Sequence, residues 1–201
     1  LKDTQTDLTG GVSITGTGYA DSITLTFEEG FDDSGLSVSV SGGDGLDTVK
    51  VSSNDTGSNT GATNNGVTAL GALTVSAETI KLESSLTGAS SAGFLIAGAV
   101  TLTAASTAVG GSTSILLNQG ITATGDVKIT ATTTRSLIDK TLGYASLNES
   151  DDSASYSPAN ATSTLTVGDG VNVIGGSVTL SAKVTGTVEI GADVYNDGNI
   201  S

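Results

Sequence analysis

This sequence predicts an all-β fold, a parallel and right-handed β-helix (or β-solenoid) of about seven coils occupying residues 1–201 as one domain. Three observations predict it. A short alternating motif recurs at near-constant spacing. The apolar residues are almost all aliphatic. Glycine is frequent (28) while proline occurs once.

Composition narrows the class first. Hydrophobic residues make up 36% of the chain, aromatics only 3%, and Trp, Met, Cys and His are absent. Large aromatic anchors, the usual filling of a globular core, are scarce. Val, Ile, Leu and Ala suit the thin, regular interior of a narrow β-coil instead. Abundant glycine without a three-residue period excludes collagen. The regular spacing of the apolar residues argues for folding rather than disorder.

The repeat supplies the elements. Gly71-Ala-Leu-Thr-Val-Ser-Ala77 recurs as Gly98-Ala-Val-Thr-Leu-Thr-Ala104, as Gly125-Asp-Val-Lys-Ile-Thr-Ala131 and as Gly176-Ser-Val-Thr-Leu-Ser-Ala182. Asp21-Ser-Ile-Thr-Leu-Thr26 and Asp47-Thr-Val-Lys-Val-Ser52 are read as weaker upstream copies of the same strand. A second strand precedes it in Gly66–Gly71, Gly120–Gly125 and Gly170–Gly175. A third precedes that, with Ser114-Ile-Leu-Leu aligned to Thr164-Leu-Thr-Val. Each unit therefore carries three short strands with glycine, asparagine or aspartate at the corners.

Alternation places one set of side chains on one face of a strand. The expected inward pairs are Leu73/Val75, Val100/Leu102, Val127/Ile129 and Val178/Leu180, with Thr, Lys and Ser outward. One such unit cannot bury its inner face, but stacked units can, each strand pairing in parallel with its counterpart in the next coil. Right-handed connection is the rule for parallel crossovers. Ala77, Ala104, Ala131 and Ala182 are expected to stack where a corner narrows. A β-sandwich also uses short alternating strands, but does not require one motif at near-constant spacing.

Residues 136 to about 161 interrupt the pattern. This insertion holds Tyr144 and Tyr156, the Asp151-Asp152 pair and the single proline, Pro158. Insertions in repeat proteins gather on one face, often the binding face. Tyr144, Asp151, Asp152 and Tyr156 are therefore the candidate binding-loop residues, with a glycan or cell-surface molecule as the candidate ligand.

Charge excludes some partners. Twenty-one acidic residues against seven basic ones give a net charge of −14. Binding to nucleic-acid phosphates needs basic stripes, and anionic membrane surfaces also attract basic segments. No apolar run reaches the length of a membrane-spanning helix. The chain begins at Leu1 with no signal peptide, which reads as a mature protein or an internal piece of a longer one.

Two segments resemble the calcium-binding nonapeptide of RTX proteins. Gly42-Gly-Asp-Gly-Leu-Asp-Thr-Val-Lys50 fits the G-G-x-G-x-D-x-U-x pattern, and Gly16-Thr-Gly-Tyr-Ala-Asp-Ser-Ile23 is a degenerate partner. The resemblance implies Ca²⁺ held by Asp21, Asp44 and Asp47 with backbone carbonyls, the all-oxygen shell that this hard cation takes. The two copies lie 26 residues apart, whereas RTX stacks use consecutive nonapeptides. The longer repeat resembles the coils of filamentous-haemagglutinin-like adhesins and giant bacterial surface proteins. That likeness spans about residues 62–190. It implies a secreted or cell-surface protein with a structural or adhesive role, and carries over no functional residue.

Catalysis has little to work with. Without His or Cys, neither a histidine-based triad nor a thiol nucleophile is available. No enzymatic activity is expected. The rival is a carbohydrate-binding or carbohydrate-hydrolysing β-helix using paired carboxylates. Its sugar cleft would have to manage with four tyrosines and three phenylalanines, and Arg135 is the one arginine. Thr101/Thr103, Thr122/Thr124 and Thr130/Thr132 suggest a hydroxyl array of the kind that binds ice, but these pairs are placed on different strands of the coil. Strand-like sequence near both termini predicts self-association head to tail or contact with neighbouring domains of a longer chain.

Overall fold

The structure is a computed structural model that describes residues 10–28, 30–55, 67–84, 93–107, 111–139 and 161–190. In chain order the strands are β1 (Gly10–Thr15), β2 (Ser22–Phe27), β3 (Asp32–Ser41), β4 (Thr48–Ser53), β5 (Val67–Ala77), β6 (Thr79–Leu82), β7 (Gly93–Ile96), β8 (Val100–Ser106), β9 (Ser112–Leu117), β10 (Gly120–Ala123), β11 (Val127–Asp139), β12 (Thr162–Val167), β13 (Val173–Ile174) and β14 (Val178–Ile190). Every element among the described residues is a strand, and every strand pair is parallel.

The chain visits three ranks of strands in rotation. A long rank runs β1, β3, β5, β8, β11, β14. A second sheet runs β2, β4, β6, β9, β12. A short rank takes the first residues of β3 and β5 and continues through β7, β10 and β13. The short and long ranks share one sheet because β3 and β5 each serve both. Between Asp33 and Ser37 the β3–β5 register shifts, and this bulge marks the bend between the two ranks.

The core follows from the register. In the long rank Val12, Val38, Leu73, Val100, Val127 and Val178 lie one above another, as do Ile14, Val40, Val75, Leu102, Ile129 and Leu180. The second sheet contributes Ile23, Val49, Ile80, Ile115 and Leu165. The short rank adds Phe94, Ile121, Leu70 and Ile96. From β3 to β11 these side chains are fully buried. Each such aliphatic group contributes about 1.5–3 kcal/mol on leaving water. Phe27 packs against Phe31 at 5.0 Å and against Phe94 at 6.3 Å between ring centres, so the few aromatics gather at one corner.

The four expected copies stack as the sequence indicated. Leu73 faces Val100, Val100 faces Val127, and Val127 faces Val178. Ala77, Ala104, Ala131 and Ala182 form one column. The alignment of Ser114–Leu117 with Thr164–Val167 is also the structural register.

Three expectations need correction. Asp21–Thr26 and Asp47–Ser52 are not copies of the Gly71 motif, because their strands β2 and β4 stack on β6 in the other sheet. The upstream partners of the Gly71 motif are β1 and the second half of β3. Alternation is identical on every face, so spacing alone assigned the wrong rank. The second element is also shifted. Gly120 pairs with Gly93, Gly93 pairs with Val67, and Ile121 pairs with Val173. Finally, β11 continues past residue 136 and pairs through Asp139 with Ile190.

Candidate functional site

The Asp/Gly segments whose resemblance to the RTX nonapeptide implies a cation form the corners between the long rank and the second sheet. The structure stacks Gly16–Asp21 beneath Gly42–Asp47. Ser41 O accepts the N–H of Gly16 at 2.8 Å, Thr17 O accepts the N–H of Asp44 at 3.2 Å, and Asp21 O accepts that of Thr48 at 2.8 Å. This closeness accounts for the glycines. A methyl group on Gly43 would stand 2.2 Å from Thr17 O, and one on Gly45 2.6 Å from Tyr19 O. Both residues also have positive φ, 96° and 140°, a conformation that costs glycine least.

The carboxylates form a ladder across successive strands. Asp21 Oδ2 accepts from Thr17 N at 2.6 Å and Thr17 Oγ1 at 2.8 Å. Asp47 Oδ1 accepts from Asp21 N at 2.8 Å, and Glu78 Oε2 accepts from Asp47 N at 2.9 Å. Asp47 and Glu78 thus each satisfy a backbone donor at the neighbouring corner, while Asp21 satisfies one within its own. Asp47 is 1% exposed, and its Oδ2 has no hydrogen-bond partner.

Of the predicted residues, the structure brings Asp21 and Asp47 together. Asp44 lies exposed at the corner's tip. Glu78 joins the ladder although sequence reasoning missed it. Its signal is register, because Thr48 pairs with Thr79 and so puts Glu78 above Asp47. Among the described residues no group of three His, Cys, Asp or Glu side chains is gathered to hold a metal ion. Tyr144, Asp151, Asp152 and Tyr156 lie outside the described residues.

Further along the same corner the ladder changes from carboxyl to hydroxyl. Thr113 Oγ1 lies 3.0 Å from Thr133 Oγ1 and 2.9 Å from Ser163 Oγ, and Thr133 Oγ1 donates to Thr162 O at 2.6 Å. Thr113 and Thr133 are fully buried. A second buried polar cluster sits between the second sheet and the short rank. Gln119 accepts from Ser53 N at 2.9 Å and donates to Ser53 O at 2.7 Å, while Thr68 Oγ1 donates to Ser53 Oγ at 2.7 Å. Gln119 thereby pairs the backbone N–H and C=O of Ser53, and Thr133 the C=O of Thr162, at these corners.

The outer surface of the long rank corrects the placement of the threonine pairs. Thr101 and Thr103 share one strand, and Thr130 lies beside Thr103 in the same rank. Two outward columns result. One holds Ser13, Ser39, Thr74, Thr101, Lys128 and Thr179, and the other Thr15, Ser41, Ser76, Thr103, Thr130 and Ser181. Thr122 sits apart, in the short rank.

No helix among the described residues is long and apolar enough to cross a membrane. No protein-family model matches this chain, and no curated protein or solved structure matches it either.

Proposed function

We propose that this chain is a parallel β-solenoid serving as a structural or adhesive rod module of an extracellular or cell-surface protein. The observation that carries the proposal is the rotation through three ranks, each strand pairing in parallel with a counterpart 26 or 27 residues away where the spacing is regular. Such winding gives a body that lengthens by about 4.8 Å per coil while its cross-section stays fixed. Backbone hydrogen bonds then run along the axis, the direction in which a rod is pulled. The described residues provide six rungs in the long rank, fewer than the expected coil number for the whole chain.

The polar groups support a structural role. The carboxylate ladder, the buried hydroxyls and Gln119 are each engaged in closing corners. The exterior of the long rank is hydroxyl-rich, and the net charge of −14 keeps copies soluble.

The architecture is tested by engineered disulfides, since the chain has no native cysteine. Thr74→Cys with Thr101→Cys joins residues paired across adjacent strands, within reach of an S–S bridge. Oxidation is expected to link them in the monomer without loss of β-structure. Failure to cross-link, with the fold intact, overturns the winding. The cellular role is tested by labelling intact source cells with an antibody to this chain. Labelling only after permeabilisation overturns the surface assignment.

A further inference from the structure

We infer that the rung formed by β12 and β14 is a docking surface for the β1–β2 rung of a second copy, so that copies add head to tail. The inference rests on the solenoid reading and specifies its ends. Val167, Val178, Leu180 and Val184 are 40–47% exposed, whereas the residues beneath them in register, Leu117, Val127, Ile129 and Thr133, are 0–1% exposed. These side chains have the inward orientation of the core, and the surface they form is a cross-section of the interior. No described strand lies above this rung.

What covers such a section within the chain is another parallel rung with aliphatic residues at the same positions. The opposite end carries that pattern. Continuing the register places Val178 on Val12, Leu180 on Ile14 and Ala182 on Gly16, all with the same strand direction. Val12 and Ile14 are half-buried and pack against the core. Two tails meeting each other would oppose their strands and lose this match. Charge agrees with the head-to-tail choice. Lys183 is exposed on β14, and the continued register sets it over Thr17, whose N–H and Oγ1 bond the Asp21 carboxylate.

The test uses the full 201-residue chain in sedimentation velocity over a concentration series. About 0.15 M salt limits repulsion between copies to a range of roughly 8 Å. The wild type is expected to form a concentration-dependent series of end-to-end oligomers. Leu180→Asp spoils one end and Ile14→Asp the other, so each variant alone is expected to remain monomeric. Mixed, they are expected to form dimers and nothing larger, because one intact end of each kind remains. A wild type that stays monomeric at the highest concentration overturns the inference, as does Ile14→Asp dimerising alone, which signals tail-to-tail contact. The Thr74→Cys/Thr101→Cys cross-link is run in the otherwise wild-type chain. If it forms in a monomeric wild type, docking has failed while the winding stands. If it does not form, the solenoid reading itself has failed.

Discussion

Single atoms decide much at the Asp/Gly corner. A methyl group at Gly42 would lie 2.4 Å from Asp47 Cβ, whereas one at Gly18 would meet nothing within 4 Å. Gly42→Ala is therefore expected to lower stability by about 2 kcal/mol or more, and Gly18→Ala to stay within about 0.5 kcal/mol, both read from urea unfolding. Equal effects would refute the close approach. Asp47 offers a second contrast. Asp47→Asn keeps an oxygen for the Asp21 N–H and removes a buried carboxylate oxygen with no donor. Asp47→Ala strands that N–H and is expected to cost about 1.5–3 kcal/mol. The Asn variant is expected to be at least as stable as the wild type in a chelator. If calcium occupies this corner, adding it raises the wild-type melting midpoint, and Asp47→Asn abolishes the rise. An unchanged wild-type midpoint removes calcium from the corner.

At the level of the strand, position in the stack sets the cost of a substitution. Leu102 and Leu180 occupy the same column in β8 and β14, but Leu102 is fully buried and Leu180 is 44% exposed. Leu102→Ala is expected to cost about 2–5 kcal/mol. Leu180→Ala should cost well under half as much when measured at a dilution that keeps the chain monomeric. A similar loss at both positions would mean that Leu180 is covered in solution. Gln119→Ala leaves the N–H and C=O of Ser53 buried without their partner, and about 2 kcal/mol of destabilisation is expected by thermal unfolding.

For the whole molecule, charge and stacking set the behaviour. A net charge of −14 on 201 residues opposes compaction. Salt shortens the range of that repulsion, so the melting midpoint is expected to rise between low and moderate sodium chloride. A falling midpoint would show that attractive pairs dominate, although Lys50–Glu83 at 3.3 Å is a partly exposed bridge of small worth. Stacked rungs also predict a gradient of amide protection. Exchange should be slowest in β5, β8 and β11, which have parallel neighbours on both sides, and faster in β1 and β14. Uniform protection would argue for a closed structure without ends.

The all-β class and four of the long-rank rungs were legible in the sequence. Side-chain alternation is local, and the Gly71, Gly98, Gly125 and Gly176 motifs repeat it with a glycine at the same corner. The placement of β2 and β4 was not legible. Asp21–Thr26 has the same alternation as a long-rank strand, and only hydrogen-bond register assigns it to the other sheet. The Gly93–Ile96 strand was missed because Leu95 breaks the alternation between Phe94 and Ile96. At the candidate site, Asp21 and Asp47 were singled out through the resemblance of their segments to the RTX nonapeptide. Glu78, Gln119 and the Thr113–Thr133 contact were not, because each depends on residues from strands far apart in the chain meeting at a corner. A sequence specifies which side chains alternate. Tertiary structure decides which strands they stack against, since loops of unequal length separate strands whose pairing depends on backbone position alone.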